Sequence, residues 1–110
     1  MYAFEGSAAG WRETAYLKGF FVADELQLGS ALALSRPGTF LAVGCPLEGS
    51  AGMGLSMTAS GTATYSGAVF TYSRDDTGWM ARQLVKASNT EADDRFGAVA
   101  LSADGTVLAV

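Results

Sequence analysis

The sequence predicts an all-β fold built from repeated antiparallel sheets, on three observations. The chain says the same thing twice: Gly10-Trp11 returns as Gly78-Trp79, Lys18 as Lys86, and Ala33-Leu34-Ser35 as Ala100-Leu101-Ser102. The match tightens further on, where Gly38-Thr39 and Leu41-Ala42-Val43 recur as Gly105-Thr106 and Leu108-Ala109-Val110. Composition is the second observation, since 14 Gly, only 2 Pro and several short apolar runs between turn residues suit strands and hairpins. Third, the apolar runs are too short for helices. The best helical candidate, Ser30 to Ser35, is about one and a half turns long and is bracketed by Gly29 and Pro37-Gly38, so helix content should be close to nil.

Each copy parses into four strands. The first is Tyr2 to Glu5, matched by Ala68 to Ser73, where Val69-Phe70-Thr71-Tyr72 has the aromatic and β-branched content of a strand. Gly6-Ser7-Ala8-Ala9-Gly10 and Asp75-Asp76-Thr77-Gly78 turn the chain into the second, Trp11 to about Leu17 and Trp79 to Val85. The third is Ser30 to Ser35 and Ala98 to Ser102; the fourth is Thr39 to Gly44 and Thr106 to Val110. Arg36-Pro37-Gly38 and Ala103-Asp104-Gly105 join these as tight hairpins. Their continuous apolarity predicts that both faces of the third and fourth strands are covered by stacked sheets.

The repeat offset is 68 residues up to Gly29/Gly97 and 67 afterwards, so one residue was gained or lost between Gly29 and Ala33. The chain divides into a first repeat, 1–44, a loop insertion rich in Gly, Ser and Thr, 45–67, and a second repeat, 68–110. A fixed period means that each unit buries its apolar face only by stacking on a neighbour. Four-stranded units leave radial stacking into a β-propeller or linear stacking into a solenoid, and a whole meander of blade size favours the propeller.

Charge and motif content exclude more than they identify. A net charge of -4 without a basic stripe disfavours nucleic acid. No apolar stretch approaches the roughly 20 residues of a membrane span, and Met1-Tyr2-Ala3-Phe4-Glu5 lacks the features of a signal peptide. The single cysteine, Cys45, reads as a small buried apolar residue, and the chain has no His, the commonest general base and transition-metal ligand. Neither a Gly-x-Ser-x-Gly elbow nor a Ser-x-x-Lys occurs, so covalent catalysis has no sequence support and the chain is not expected to be an enzyme.

The stretch Trp79 to Val110, with Leu84-Val85-Lys86-Ala87-Ser88-Asn89-Thr90, Asp93-Asp94-Arg95-Phe96-Gly97 and Val99-Ala100-Leu101-Ser102, resembles the FG-GAP repeat of integrin-α-type β-propellers, in particular the bacterial extracellular type. Phe96-Gly97 matches the first name-giving motif, Leu28-Gly29 is a diverged copy, and Gly44-Cys45-Pro46 stands where the second would have Ala in the middle. The resemblance covers nearly the whole chain apart from Leu47 to Tyr65. It implies a propeller of about six to eight blades, with the third strand innermost and the second outermost. It also implies a role in adhesion, ligand binding or scaffolding at or outside the cell surface. Many such repeats carry an Asp-x-Asp-x-Asp-Gly calcium loop; that spacing does not occur here, and no cofactor is expected.

Eight strands make two blades' worth, beginning and ending in mid-blade. Three readings follow: a fragment of a longer propeller, a homo-oligomer of three or four copies, or terminal half-blades that pair with those of the next copy. A meander alternates its loops between ends, so the connections Lys18 to Leu28, Cys45 to Gly67 and Lys86 to Arg95 share one end. Six of the 11 acidic residues lie there: Asp24, Glu25, Glu48, Glu91, Asp93 and Asp94, with Glu25 and Asp93 at matched positions. They read either as a hard-cation or polar-ligand site or as turn caps, and carboxylates without ligand spacing favour the second. Asp24, Glu25, Glu91, Asp93 and Asp94 stand as the ligand-binding candidates. Leu47 to Tyr65 reads as a flexible loop, and Trp11 and Trp79 as packing between blades. The expected function is a non-catalytic module binding protein or carbohydrate. The alternatives are a fragment of a propeller enzyme acting on polysaccharide, with its carboxylates among Glu91, Asp93 and Asp94, and a calcium-stabilised adhesion module.

Overall fold

The computed structural model describes residues 1–19, 27–56 and 60–110, and no helix occurs among them. The strands are β1 Tyr2–Ser7, β2 Gly10–Tyr16, β3 Ala31–Leu34, β4 Phe40–Cys45, β5 Leu55–Ser56, β6 Ala68–Asp75, β7 Gly78–Val85, β8 Ala100–Leu101 and β9 Leu108–Ala109. They form three antiparallel sheets that do not close: β1-β2, the five-stranded β3-β4-β6-β7-β5, and β8-β9. The sequence repeat and the sheet are therefore out of phase by half a unit. The central sheet takes β3 and β4 from the first copy and β6 and β7 from the second.

The repeat is written into the backbone. Residue by residue, β1 pairs with β2 as β6 pairs with β7 at an offset of 68: Tyr2↔Tyr16 becomes Phe70↔Leu84, and Glu5↔Arg12 becomes Ser73↔Met80. The irregularity between Ala3 and Phe4 recurs between Thr71 and Tyr72. Past the single-residue change, β3-β4 and β8-β9 match at 67, Ala33↔Ala42 becoming Ala100↔Ala109. The hairpin between them repeats as well: Ser35 N–H donates to Phe40 C=O at 2.9 Å as Ser102 N–H does to Val107 C=O, around Gly38 and Gly105 at φ 71° and 77°. Both glycines sit where a Cβ is disfavoured.

The core lies on one face of the central sheet. Leu41, Val43 and Cys45 of β4 stand opposite Tyr72, Phe70 and Ala68 of β6, with Leu84 of β7 beside Phe70, and all are buried. The β1-β2 hairpin covers this face through Leu17, Met1, Ala3 and Ala15, and Tyr72 Oη donates to Lys18 C=O at 2.6 Å. Full burial of such a side chain is worth about 2 kcal/mol. On the opposite face the chain approaches backbone to backbone. A Cβ on Gly44 would collide with Gly97 C=O, Gly105 rests on Ser35 and Phe40, and Arg36 N–H donates to Ala103 C=O at 2.7 Å. The β8-β9 hairpin thus covers the side of β3-β4 that bears Gly44.

Three expectations are corrected. The second strand of the copy is not outermost, because Leu55–Ser56 from the insertion pairs outside β7. Two-sided cover holds for β4 but not for β3, whose Leu32 and Leu34 are more than half exposed. Nor is the whole insertion slack: Ala51 N–H donates to Ser60 C=O and Ala63 N–H to Gly49 C=O, at 2.8 and 2.7 Å, which folds it back on itself.

Gly44→Ala should destabilise the chain by about 2 kcal/mol, because the methyl group meets backbone that cannot rotate away. A lowered urea midpoint at unchanged m-value is the expected readout; an unaltered midpoint would mean that the Gly97 backbone leading into β8-β9 does not lie against β4.

Candidate functional site

The connections 46–67 and 86–99 leave the sheets at the same end, and a parallel bridge from Gly67 to Phe96 ties them together. Phe96 N–H donates to Ser66 C=O, Arg95 N–H to Tyr65 C=O and Asp93 N–H to Thr64 C=O, each at 2.9 Å. Asp93 and Arg95 hold φ of 67° and 52°, a left-handed backbone that this docking imposes. Gln27, one period before Arg95, has φ 51°.

Of the ligand-binding candidates, Glu91, Asp93 and Asp94 come together on this loop, all exposed. Their arrangement is that of a turn, in which the Asp94 carboxylate accepts the Glu91 N–H at 2.8 Å. Asp24 and Glu25 lie outside the described residues. Among the described residues no three of His, Cys, Asp and Glu gather closely enough to hold a metal ion.

Glu48, expected with the exposed carboxylates, is instead buried under this loop end. Its Oε2 accepts from Lys86 Nζ at 2.6 Å and from Ser50 Oγ at 3.0 Å, and its Oε1 from Ser50 N–H at 2.9 Å. Lys86 Nζ also donates to Ser66 Oγ at 2.7 Å, and Ser66 Oγ to Ser50 C=O at 2.9 Å. All four residues are buried, Ser66 at 1% exposure. A serine hydroxyl beside a lysine is the pairing of some acyl-transfer sites, but substrate has no approach here and the ammonium is engaged by a carboxylate. The cluster is a structural tether from 48–50 to 66 and 86. The recurrence of Lys18 as Lys86 was the sequence signal; its partner could not be read, because Glu48 is 38 residues away. Lys18 itself is exposed, its Nζ lying 5.2 Å from the Tyr16 ring centroid.

Burial also shapes two acids of the core. The Cys45 thiol is pushed from 9.0 up to about 12, by desolvation first and the nearby Glu48 carboxylate second. The Tyr72 phenol rises from 10.0 to about 12, again chiefly by desolvation. At the hairpin end Asp104 is lowered to about 2 by the Ser102 hydroxyl and by Thr106, its Oδ1 accepting from both. Asp75 is lowered in the same way by Thr77. These carboxylates organise turns.

An apolar groove of about 390 Å3 runs between β1-β2 and β3, lined by Phe4, Leu32, Leu34, Leu41 and Trp79 among others. Arg74 pairs with Glu5 at its edge. Trp79 packs partly buried against the core, as expected of a residue between stacked units, whereas its counterpart Trp11 is 79% exposed. Comparison with protein-family models, curated proteins and solved structures finds no match to this chain.

Lys86→Met should cost about 3 to 5 kcal/mol by stranding a buried carboxylate. Adding Glu48→Leu should recover part of the loss; chemical denaturation of both variants reads this. Stability should also fall as pH rises from about 9 towards 12, since the unfolded chain releases protons that folded Cys45 and Tyr72 retain. Below pH 9 both groups are protonated in either state and their contribution is constant. A urea midpoint that declines over this window is expected, less steeply in Cys45→Ala.

Proposed function

We propose that the chain is a non-catalytic β-propeller-type repeat module of FG-GAP character, which binds protein or carbohydrate through its long-loop end. The observation that carries the reading is the recurrence of pairing register, bulge and hairpin geometry at offsets of 68 and 67. The same supersecondary unit is thereby stacked on its neighbours from both sides, as in radial repeat folds. The identity of the family rests on Phe96-Gly97 and the residues around it, and the binding role on the family resemblance.

The loop end suits recognition for a physical reason. Its carboxylates and the exposed Tyr65 stand on backbone held by the Glu48–Lys86 tether and the Gly67–Phe96 bridge, so little ordering is left to be done on binding. At the opposite end the short hairpins spend the carboxylates of Asp75 and Asp104 on their own turns.

Glycan and peptide arrays probed with the chain, alongside hydrolysis assays on a panel of polysaccharides, test this. Binding is expected to fall at least tenfold in Asp93→Ala/Asp94→Ala and to be unchanged in Asp75→Ala, with no hydrolysis in any variant. Hydrolysis by the unmodified chain that vanishes in the folded double variant would replace the binding reading with a catalytic carboxylate pair.

A further inference from the structure

Equivalent positions in the two copies have opposite fates. Phe70, Tyr72 and Leu84 are 0, 2 and 0% exposed beneath the β1-β2 hairpin, whereas Tyr2, Phe4 and Tyr16, one period earlier, are 58, 54 and 55% exposed. Tyr2 and Tyr16 shield each other only in part, their rings 4.7 Å apart. Beside them lies the apolar groove, with Leu32 and Leu34 open on its wall. The edge of β1 away from β2 carries no strand among the described residues, and neither does the edge of β9 away from β8. An aromatic face, an apolar groove and an open strand edge together form a docking surface.

The molecule contains a template for what covers it. In the central sheet β4 pairs with β6 through Val43↔Phe70, Ala42↔Thr71, Leu41↔Tyr72 and Phe40↔Ser73. The repeat equivalent of β4 is β9 with its flanks, and that of β6 is β1. Translating the pairing by the two offsets gives Val110↔Tyr2, Ala109↔Ala3, Leu108↔Phe4 and Val107↔Glu5. Within one chain these two segments lie on opposite sides of the central sheet, so they could pair with each other only between chains.

We propose that the β8-β9 hairpin of a second copy docks along the β1 edge in this register, completing a four-stranded sheet and filling the groove over Leu32 and Leu34. The joint continues an interface the molecule already has. The β3-β4 hairpin packs its small-residue face, Ala31, Ala33 and Gly44, towards β8-β9, with Gly44 against Gly97. The corresponding face of the incoming hairpin carries Ala98, Ala100 and Ala109, small enough to lie against Leu32 and Leu34. The backbone bond from Arg74 N–H to Thr39 C=O, 2.8 Å, translates to Gly6 N–H donating to Thr106 C=O of the second copy. Across the joint, the second copy's central sheet covers Tyr2, Phe4 and Tyr16. Such pairing is head-to-tail, and it propagates until a ring closes. The proposal rests on the stacked-repeat reading above and not on the loop end's ligand.

Oxidative cross-linking between two single variants tests it. Chains carrying Ala3→Cys are mixed with differently tagged chains carrying Ala109→Cys, so that a mixed dimer is necessarily intermolecular; buried Cys45 stays protonated. The mixed disulfide is expected to dominate, and the unmodified chain to be oligomeric by light scattering. Ala100→Cys, one strand further away at about 10 Å, should not cross-link to Ala3→Cys. Leu34→Glu, at an exposed position, should raise the dissociation constant at least tenfold while the strand signal in circular dichroism persists. A folded monomer without cross-link overturns the proposal, and so does preferential Ala3→Cys self-pairing, which would mean symmetric edge contact. The stacked-repeat reading fails separately, through an unaltered urea midpoint in Gly44→Ala.

Discussion

Two-sided burial of the β4-β6 pair is the constraint from which the rest of the structure follows. Leu41, Val43, Phe70 and Tyr72 need apolar cover on one face, and the face bearing Gly44 accepts only close backbone. A single sheet cannot supply either. The β1-β2 hairpin is drawn onto the first face by Leu17, Met1, Ala3 and Ala15, and the segment from Gly97 through β8-β9 onto the second. Each covering hairpin repeats the pairing of half the central sheet and carries exposed apolar side chains of its own, Tyr2, Phe4 and Tyr16 on the first and Val107 and Val110 on the second. That is the physical content of a repeat: burial is passed along and not completed within a unit.

The buried Glu48–Lys86 pair acts on a different link of the chain from sequence to function. A buried ion pair adds little net stability over an apolar substitute, but it fixes geometry when every lone pair and proton is satisfied. Here Ser50 donates to both carboxylate oxygens of Glu48, and Ser66 accepts a second hydrogen bond from the Lys86 ammonium. The result fastens 48–50 and 66 to the end of β7. From there the backbone bonds to 93–96 fix the acidic turn of Glu91, Asp93 and Asp94. The exposed loop end is thereby carried on a buried polar cluster, and the sheet end on an apolar core.

Much of the fold was legible in residues. Gly10-Trp11 and Gly78-Trp79, Gly38 and Gly105, and the strongly β-prone run Val69 to Tyr72 marked strand edges and turns, because turn chemistry and strand propensity are local. The candidate site was less so. Glu91, Asp93 and Asp94 were found by counting acids on long connections, but Glu48 could not be separated from them, since its pairing with Lys86 spans 38 residues of sequence and depends on how the insertion folds back. Likewise, nothing local in Leu55–Ser56 marks it as an added outer strand. Leu32 and Leu34 read as doubly covered because apolarity reports what a strand seeks to bury, and they remain open because cover depends on the neighbouring unit.

The sequence by itself determined the all-β class, the repeat with its change of offset between Gly29 and Ala33, and the hairpin positions. All of these are periodic or nearest-neighbour properties, carried by the residues that show them. Tertiary structure alone decided that Leu55–Ser56 adds an outer strand beside β7, that Glu48 is buried, and that Tyr2, Phe4 and Tyr16 stand exposed where Phe70, Tyr72 and Leu84 are buried. The reason is that burial and strand partnership belong to pairs of distant segments. Two copies of nearly the same message therefore end in different surroundings according to what stacks on each.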